Sequence, residues 1–345
     1  MALIEIAGAT SILIGRSVID PPTVLGPNRD PSKAAVVCQP SVAGVARDLA
    51  RRFRADGVAA PVRVLPDGEA AKTLDVTAQL YEWLAESGVN RFDVLVAVGG
   101  GALTDVAGFA AATYLRGIPC VNVPTTLLGA VDASIGGKTG VNLGAKNLVG
   151  SFAHPARVVI DVDVLDALTV ELKRQGAAEA LKAGMIGDER LVGILETDGL
   201  EADLEQVVGR AVAVKAAVVE RDFTEQGERA VLNYGHTVGH ALETVSGLSH
   251  GEAVALGMVA AGRASALRCG FADEDRQQHA IGRLGLPRAA PQSEAGRVRA
   301  MLGYDKKRDA SGLRMVLLRA IGDPQVEHVD AATVDAALGA IGVEA

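Results

Sequence analysis

Four polar side chains at helical spacing give the clearest chemical signal in the sequence. Arg229, Asn233, His236 and His240 are separated by 4, 3 and 4 positions in the run RAVLNYGHTVGHALE. This spacing predicts that all four lie on one face of a single helix. Two neutral imidazoles one turn apart can chelate a divalent metal. His250 follows in a His-Gly-Glu turn where the next helix is predicted to begin, so the stretch is predicted to carry a metal site.

A carboxylate for the same site is found upstream. Glu179 and Lys182 lie three positions apart in the predicted helix AAEALKAGM. One carboxylate with two or three histidines and an open position is typical of a catalytic zinc site rather than a closed structural one. Core histidines with satisfied hydrogen bonds are the alternative, although three of the six histidines lie between positions 236 and 250. Spacing alone does not decide whether His240, Glu243 or Glu252 is a ligand or a neighbour of the ligands.

A glycine-rich turn points to a ligand that carries phosphate. In VLVAVGGGALTDVAGF, residues 94–109, a predicted buried strand leads through Gly99, Gly100 and Gly101 into a predicted helix that carries Asp105. Glycines let the backbone approach a phosphate closely, and a helix N-terminus offers free N–H groups and a positive dipole. Because the motif is not GxGxxG, a tight strand-to-helix turn without a ligand is the alternative.

Two further segments concentrate polar side chains. The glycine-rich run VNVPTTLLGAVDASIGGKTGVNLGAKNLVG, residues 121–150, favours a loop that binds a polar ligand over a bare connection. Its polar candidates are Thr125, Thr126, Asp132, Lys138, Lys146 and Asn147. Nearer the C-terminus, Lys306 and Lys307 lie in a predicted turn before a strand, where a solvated run of charges is an equally good interpretation.

The predicted secondary structure that positions these side chains differs between the two halves of the chain. Up to about Leu168, short β-rich runs alternate with helical periods, which predicts a mainly parallel sheet covered by helices on both faces. Long helical periods dominate afterwards. We therefore predict an α/β domain over residues 1–168 and a mainly α-helical domain over residues 169–345, with a ligand in the cleft between them. The proline-rich segment Asp20–Ser32 is predicted to be a loop.

Composition excludes several classes of function. The 345 residues include 34 Lys and Arg against 42 Asp and Glu, a formal net charge of −8 that gives no electrostatic footprint for nucleic acid or an anionic membrane. Three cysteines without CxxC spacing exclude a disulfide framework and a thiolate zinc site. Without a basic leader or a long apolar run, the chain is predicted to be soluble and cytoplasmic. Only nine basic residues are lysines, so each lysine within a motif is a candidate for chemistry.

Taken in order, the motifs resemble those of the 3-dehydroquinate synthases, the sugar phosphate cyclases of the shikimate pathway. The similar runs are LPDGEAAKTL, GGGALTDVAGF, YLRG, VPTTLLGAVDASIGGKTGVN, AKNLVGSF, AAEALK, LNYGHTVGHALE, HGEAV and DKK, between about Pro66 and Ile321. The resemblance implies a Rossmann-like NAD-binding α/β domain, a helical metal-binding domain and a homodimer. It also implies conversion of 3-deoxy-D-arabino-heptulosonate 7-phosphate into 3-dehydroquinate and phosphate, for the biosynthesis of aromatic amino acids.

The resemblance also implies a role for individual residues. A divalent ion, Zn²⁺ or Co²⁺, would be held by Glu179, His236 and His250. NAD would contact Glu69, Lys72, Gly99, Gly100, Gly101, Asp105, Thr125, Thr126 and Lys146. Catalytic roles would fall to Asp132, Lys138, Lys182, Asn233 and His240. Substrate would be bound by Asn147, Lys215, Arg229 and one of Lys306 and Lys307, with Arg116 reaching in from the partner subunit.

One departure from the family pattern and two alternatives accompany this interpretation. Where the family usually has an acidic residue and an asparagine, the chain has Cys38-Gln39-Pro40-Ser41, which affects the expected ribose contact. Amino-dehydroquinate synthases and cyclases that make valiolone- or inosose-type rings are close alternatives. Metal-dependent alcohol and glycerol dehydrogenases share the GGG turn and the H-x3-H pair, but an uncharged alcohol has no need of the lysines.

Overall fold

The computed structural model describes residues 2–27, 29–291, 295–306 and 313–343, which form two compact units. The first unit runs to Leu168 and also includes Lys215–Thr224. The second unit comprises Thr169–Val214 and Glu225–Ala345. The sequence interpretation assigned residues 215–224 to the helical domain, whereas they belong to the first unit in the structure.

A seven-stranded sheet forms the centre of the first unit. Its strands are β1 (Ala2–Ile6), β2 (Thr10–Gly15), β3 (Ala34–Cys38), β4 (Val62–Val64), β5 (Val94–Gly99), β6 (Cys120–Pro124) and β9 (Arg157–Asp161). Their order is β1-β2-β9-β6-β5-β3-β4, and every neighbouring pair is parallel except β1 with β2. The sheet is therefore mainly parallel, as the alternation of short β-rich runs and helical periods predicts.

The central strands are buried on both faces, as their continuous apolar runs predict. Alternate residues of β3 and β5 contribute to two separate clusters, so Val36 lies in one and Val37 in the other. The first cluster includes Leu49 and Phe53 of α2 (Ala43–Ala55). The second includes apolar side chains of α3 (Leu74–Glu86) and α4 (Gly101–Thr113). This layering brings the start of α4 to the carboxyl end of β5.

Two parts of the first unit differ from the sequence interpretation. The predicted loop Asp20–Ser32 contains a short helix, α1 (Pro21–Leu25), because Pro is favourable at N1 and the Asp20 carboxylate accepts the Thr23 N–H at 2.8 Å. The predicted ligand loop 121–150 contains a π-helical turn, Gly129–Ala133, and an antiparallel hairpin of β7 (Lys138–Leu143) and β8 (Ala145–Phe152). The last helix before the boundary is α5 (Val162–Asp166).

Helices build the second unit. They are α6 (Val170–Gly187), α7 (Glu189–Asp198), α8 (Leu204–Arg221), α9 (His236–Ser246), α10 (His250–Cys269), α11 (Glu274–Arg283), α12 (Ala295–Lys306) and α13 (Ala331–Gly339). A hairpin of β10 (Leu313–Ala320) and β11 (Asp323–Val329) accompanies them, and the last residues of α8 belong to the first unit. Thirteen residues of α10 are buried, which makes it the central helix.

The predicted single helix from Arg229 to Val245 is interrupted. Glu228–Asn233 forms a 3₁₀ helix, and α9 begins only at His236. Between them Gly235 adopts φ +80°, a left-handed conformation that favours glycine and ends the helical path. Arg229 and Asn233 therefore do not share one helix with His236 and His240, and the prediction of a common helix face is wrong.

Candidate active site

Three side chains from three helices of the second unit converge on one point. Glu179 lies within α6, His236 is the first residue of α9 and His250 is the first residue of α10. The Oε1 atom of Glu179 lies 3.0 Å from His250 Nε2 and 3.3 Å from His236 Nε2. One potential ligand atom from each of the three residues lies within 4.8 Å of the other two. This separation suits a single ion with bonds of about 2 Å to nitrogen and oxygen.

The Nδ1 atoms of His236 and His250 have partners that leave both Nε2 atoms for a metal. His236 Nδ1 lies 3.2 Å from the Tyr234 carbonyl oxygen, and His250 Nδ1 lies 3.3 Å from Glu243 Oε2. Both partners can only accept, so each Nδ1 carries hydrogen, and each Nε2 is the atom that can bind a metal once the ion displaces any proton there. The donor set of one carboxylate oxygen and two imidazole nitrogens therefore fits a divalent metal.

Charge around Glu179 keeps this carboxylate ionised. Its side chain is only 1% exposed, and Lys182 one turn along α6 forms an ion pair with its Oε2 atom. Burial raises the pKa of Glu179, but the charge of Lys182 and the hydrogen bonds to the two histidines more than offset burial and hold it well below its usual range. Burial also lowers the pKa of His250, yet its bonds to Glu179 and Glu243 raise it to about 10.

The other candidates of the second unit are placed less closely together. The His240 ring centre lies 5.1 Å from that of His236, and the His240 side chain is exposed. Arg229 is buried in the 3₁₀ helix, and Asn233 Nδ2 donates to Glu225 Oε1 at 3.4 Å. Lys306 is the last residue of α12, and Lys307 lies outside the described residues.

In the first unit, the glycine motif forms the predicted strand-to-helix turn. Gly99 ends β5, Gly100 caps α4 and Gly101 begins it. The Gly100 N–H donates to Oε1 of Gln39 at 3.0 Å, and Gln39 follows the neighbouring strand β3 directly. Thr125 is buried beside the turn, where its N–H donates to the Gly99 carbonyl at 3.0 Å. The position that departs from the family pattern is thus in contact with the glycine turn.

Lys72 is the centre of a polar network in the same unit. Its buried ammonium lies 2.6 Å from Asp105 Oδ2 on α4 and 2.5 Å from Asn147 Oδ1 on β8. Burial raises the pKa of Asp105 to about 6, although the Lys72 charge opposes this. Asn142, which sequence reasoning missed, accepts the Asn147 N–H at 2.8 Å and donates to Glu69 at 2.8 Å.

A second ion pair, between Lys215 and Asp132, links α8 to the π-helical turn. Lys215 Nζ donates to the Asp132 carbonyl at 2.6 Å and also contacts its carboxylate. Thr126 accepts the Gly129 N–H at 3.1 Å at the start of the same turn. The remaining candidates of this unit, which are exposed, are Arg116, Lys138 and Lys146.

Comparison with known proteins shows the family of this chain. Residues 62–175 match the family model for the 3-dehydroquinate synthase N-terminal domain, and residues 176–308 match that for the C-terminal domain. The chain belongs to the 3-dehydroquinate synthase family. A 3-dehydroquinate synthase of Corynebacterium diphtheriae is 41% identical over 299 residues, which cover 84% of this chain and 83% of that protein. A 3-dehydroquinate synthase of Pelobacter propionicus is 42% identical over 312 residues, 87% of each chain.

Solved structures related to the 3-dehydroquinate synthase family share the fold. A 2-deoxy-scyllo-inosose synthase complexed with carbaglucose-6-phosphate, NAD⁺ and Co²⁺ is 29% identical with a TM-score of 0.85, covering 96% of this chain and 98% of that chain. The 2-epi-5-epi-valiolone synthase of Streptomyces hygroscopicus, with NAD⁺ and Zn²⁺ bound, is 28% identical with a TM-score of 0.86, covering 99% and 98%. The predicted family and fold class are confirmed. An iron-containing alcohol dehydrogenase at 16% identity and a TM-score of 0.62 shares the fold alone.

No helix among the described residues is both long and apolar enough to cross a bilayer.

Proposed function

We propose that this chain converts 3-deoxy-D-arabino-heptulosonate 7-phosphate into 3-dehydroquinate and phosphate, as a phosphate-eliminating lyase of the shikimate pathway. The observation that carries the proposal is the Glu179–His236–His250 cluster, in a chain whose first unit also holds a glycine turn with a lysine network. Two sugar phosphate cyclases of the same fold bind NAD⁺ together with Co²⁺ or Zn²⁺, which supports the use of both groups here.

A divalent metal would be held by Glu179, His236 and His250. When bound, such an ion polarises hydroxyl and carbonyl oxygens and acidifies them. Lys182 keeps Glu179 ionised, and the Tyr234 carbonyl orients the His236 ring, so the chain presents a prepared set of donors. His240, which is exposed beside His236, is proposed to act on substrate rather than as a ligand.

The nucleotide cofactor is proposed to bind at the glycine turn. When bound, NAD accepts a hydride from the substrate and later returns it to the same molecule. The N-terminus of α4 offers backbone N–H groups and a positive dipole to a pyrophosphate. The further NAD contacts that we propose are Glu69, Lys72, Asp105, Thr125, Thr126 and Lys146.

Cationic side chains are proposed to bind the phosphate and carboxylate of the substrate. A chain with a net charge of −8 must gather positive charge locally to hold such an anion. The Asp132 contact holds the Lys215 ammonium in a defined place, so less conformational entropy is lost when an anion binds. The residues proposed for substrate are Asp132, Lys138, Asn147, Lys182, Lys215, Arg229, Asn233, His240, Lys306 and Lys307.

The proposed enzyme is a cytoplasmic homodimer in which Arg116 reaches the partner's site. Leu115 and Arg116 both adopt left-handed backbone conformations, with φ +51° and +65°, and both side chains are exposed. Such conformations cost about 1 to 3 kcal/mol each and tend to persist at functional sites. An exposed, strained turn of this kind supports an intermolecular role for Arg116.

The role of NAD provides the test of this function. In a cyclase the hydride returns to the same substrate molecule, whereas a dehydrogenase consumes one NAD for each turnover. With NAD far below the concentration of the heptulosonate phosphate, we expect many equivalents of phosphate to be released without steady accumulation of NADH. Steady NADH formation from glycerol, with no phosphate release from the sugar phosphate, would contradict the proposal. Turnover of only the amino-substituted heptulosonate would assign the chain to the amino-dehydroquinate branch.

A further inference from the structure

Glu243 contacts the metal cluster although it is not one of its three potential ligands. Its Oε2 atom lies 3.3 Å from Nδ1 of His250, while Nε2 of the same ring lies 3.0 Å from Glu179. The His250 ring is thus held between two carboxylates, one at each nitrogen. Sequence spacing left open whether Glu243 or Glu252 is a ligand, and the two residues have different surroundings in the structure.

Glu252 already has a structural function at the start of α10. Its Oε2 atom accepts the Ser249 N–H at 2.9 Å and the Ser249 hydroxyl at 2.7 Å, which forms a capping box. Glu243 instead faces the nitrogen that points away from the cluster, so it cannot share an ion bound at His250 Nε2. It is therefore neither one of the three converging donors nor a helix cap.

We infer that Glu243 is a positioning residue that holds His250 with hydrogen on Nδ1 and its Nε2 lone pair directed at the metal. Carboxylates that accept the second N–H of a ligating imidazole fix its tautomer and orientation and raise its basicity. The inference rests on the proposed metal-binding function, and it adds a residue to which no role at the cluster has been given.

The placement of Glu243 also joins two helices at the cluster. It lies seven positions after His236, so both residues occupy the same face of α9. Helix α9 thereby contributes one ligand directly and orients the ligand that begins α10. The equivalent support for His236 is a backbone carbonyl, that of Tyr234, which no side-chain substitution removes. Glu243 is the support that can be tested by mutation.

The test measures the affinity of the metal-free protein for Zn²⁺ and for Co²⁺ by competition with a chelator. Loss of such a supporting carboxylate typically weakens metal binding by roughly 10- to 100-fold. We expect Glu243→Ala to show a loss in this range and Glu243→Gln a smaller one, because the amide oxygen still accepts the Nδ1–H. Glu252→Gln is the matched control, since it removes a nearby charge while glutamine can preserve the capping box.

A spectroscopic measurement separates positioning from a general loss of structure. In metal-loaded, ¹⁵N-labelled protein, the His250 ring N–H resonance should be protected from exchange in wild type and in Glu252→Gln. It should exchange faster in Glu243→Gln, even if Glu243→Ala does not fold. Unchanged affinity and unchanged exchange in a folded Glu243 variant would overturn the inference. If His236→Ala also kept full metal affinity, the proposed metal site itself would be wrong.

Discussion

At the scale of single residues, Lys72 and Asp105 form an ion pair that is largely shielded from solvent. The Lys72 side chain is 4% exposed and that of Asp105 20%, and Asp105 lies within α4, close to the glycine turn in sequence. Desolvation disfavours the carboxylate by more than the ammonium stabilises it, so burial raises the pKa of Asp105 to about 6. Lys72 also contacts Asn147, so its ammonium has two polar partners although it is largely excluded from solvent.

Asp105 should make the stability of the protein depend on pH between about 4 and about 6. In this range the folded state binds a proton at Asp105 more tightly than the unfolded chain does, so the free energy of unfolding falls as pH rises. One pKa unit corresponds to about 1.4 kcal/mol, which limits the whole effect to about 3 kcal/mol. Urea denaturation of wild type and Asp105→Asn across pH 4 to 7 measures it.

The difference in stability between wild type and Asp105→Asn should decrease up to about pH 6 and then stay constant. A difference that does not change with pH would show that folding does not raise the pKa of Asp105.

At the scale of elements, close contact between α9 and α10 places His236 beside the other ligands. A Cβ atom at Gly257 would lie 1.8 Å from the Gly235 carbonyl oxygen, and one at Gly239 would lie 2.9 Å from the Ala253 carbonyl oxygen. The helices can therefore approach this closely only without side chains at the crossing. Gly235 directly precedes His236, so the contact at Gly257 fixes where α9 begins.

Gly257→Ala should displace the start of α9 and with it His236. Overpacking of this kind typically costs about 1 to 3 kcal/mol of stability, and we expect Zn²⁺ affinity to fall in the same variant. Gly209→Ala on α8 is the control, because no heavy atom of the described residues outside its own helical turn lies within 4 Å of the added methyl group, and alanine favours a helix by up to about 1 kcal/mol. Calorimetry measures the stability of both variants, and competition with a chelator measures their Zn²⁺ affinity. Wild-type metal affinity in a folded Gly257→Ala protein would refute the role of this crossing.

Sequence reasoning succeeded where local pattern determines structure. The apolar runs of β3 and β5 predict buried strands, and the glycine turn after β5 has the predicted strand-to-helix geometry. It failed at Gly235, where helical spacing continues but the contact with Met258 and Gly257 of α10 requires a break. Asn142 was missed for a similar reason: one partner, Asn147, lies across the β7–β8 hairpin, and the other, Glu69, lies 73 positions earlier in the chain. Tertiary contacts of this kind leave no periodic signal.

At the scale of the whole molecule, the strained turn at Arg116 is the feature on which the proposed homodimer rests. Tyr114–Arg116 forms a 3₁₀ turn after α4, and Gly117 follows it with φ +118°. Three successive residues with positive φ expose the Leu115 and Arg116 side chains. In a symmetric dimer, the same turn of each subunit would serve the other subunit's site.

Complementation between two inactive variants tests this arrangement. Arg116→Ala and Lys182→Ala should each be inactive alone, because one lacks the contributed arginine and the other an active-site lysine. After subunit exchange, half of the dimers should contain one intact site, which gives about a quarter of wild-type activity. Mass spectrometry confirms the exchange. If verified heterodimers stay inactive, Arg116 acts within its own subunit or not at all.

Residues 215–224 belong to the first unit although they follow part of the second unit in the sequence, so no single cut in the chain separates the two units. The chain passes from one unit to the other after Leu168, after Val214 and after Thr224. A fragment that stops at residue 168 would lack Lys215, the partner of Asp132, and Phe223, whose ring stacks on His154 at 3.7 Å. Recombination with a relative after residue 168 would therefore exchange part of the first unit, residues 215–224, along with the helices of the second unit. A division of the chain at residue 168 thus separates the first unit from ten residues that belong to it, and the first unit cannot be exchanged as one continuous segment.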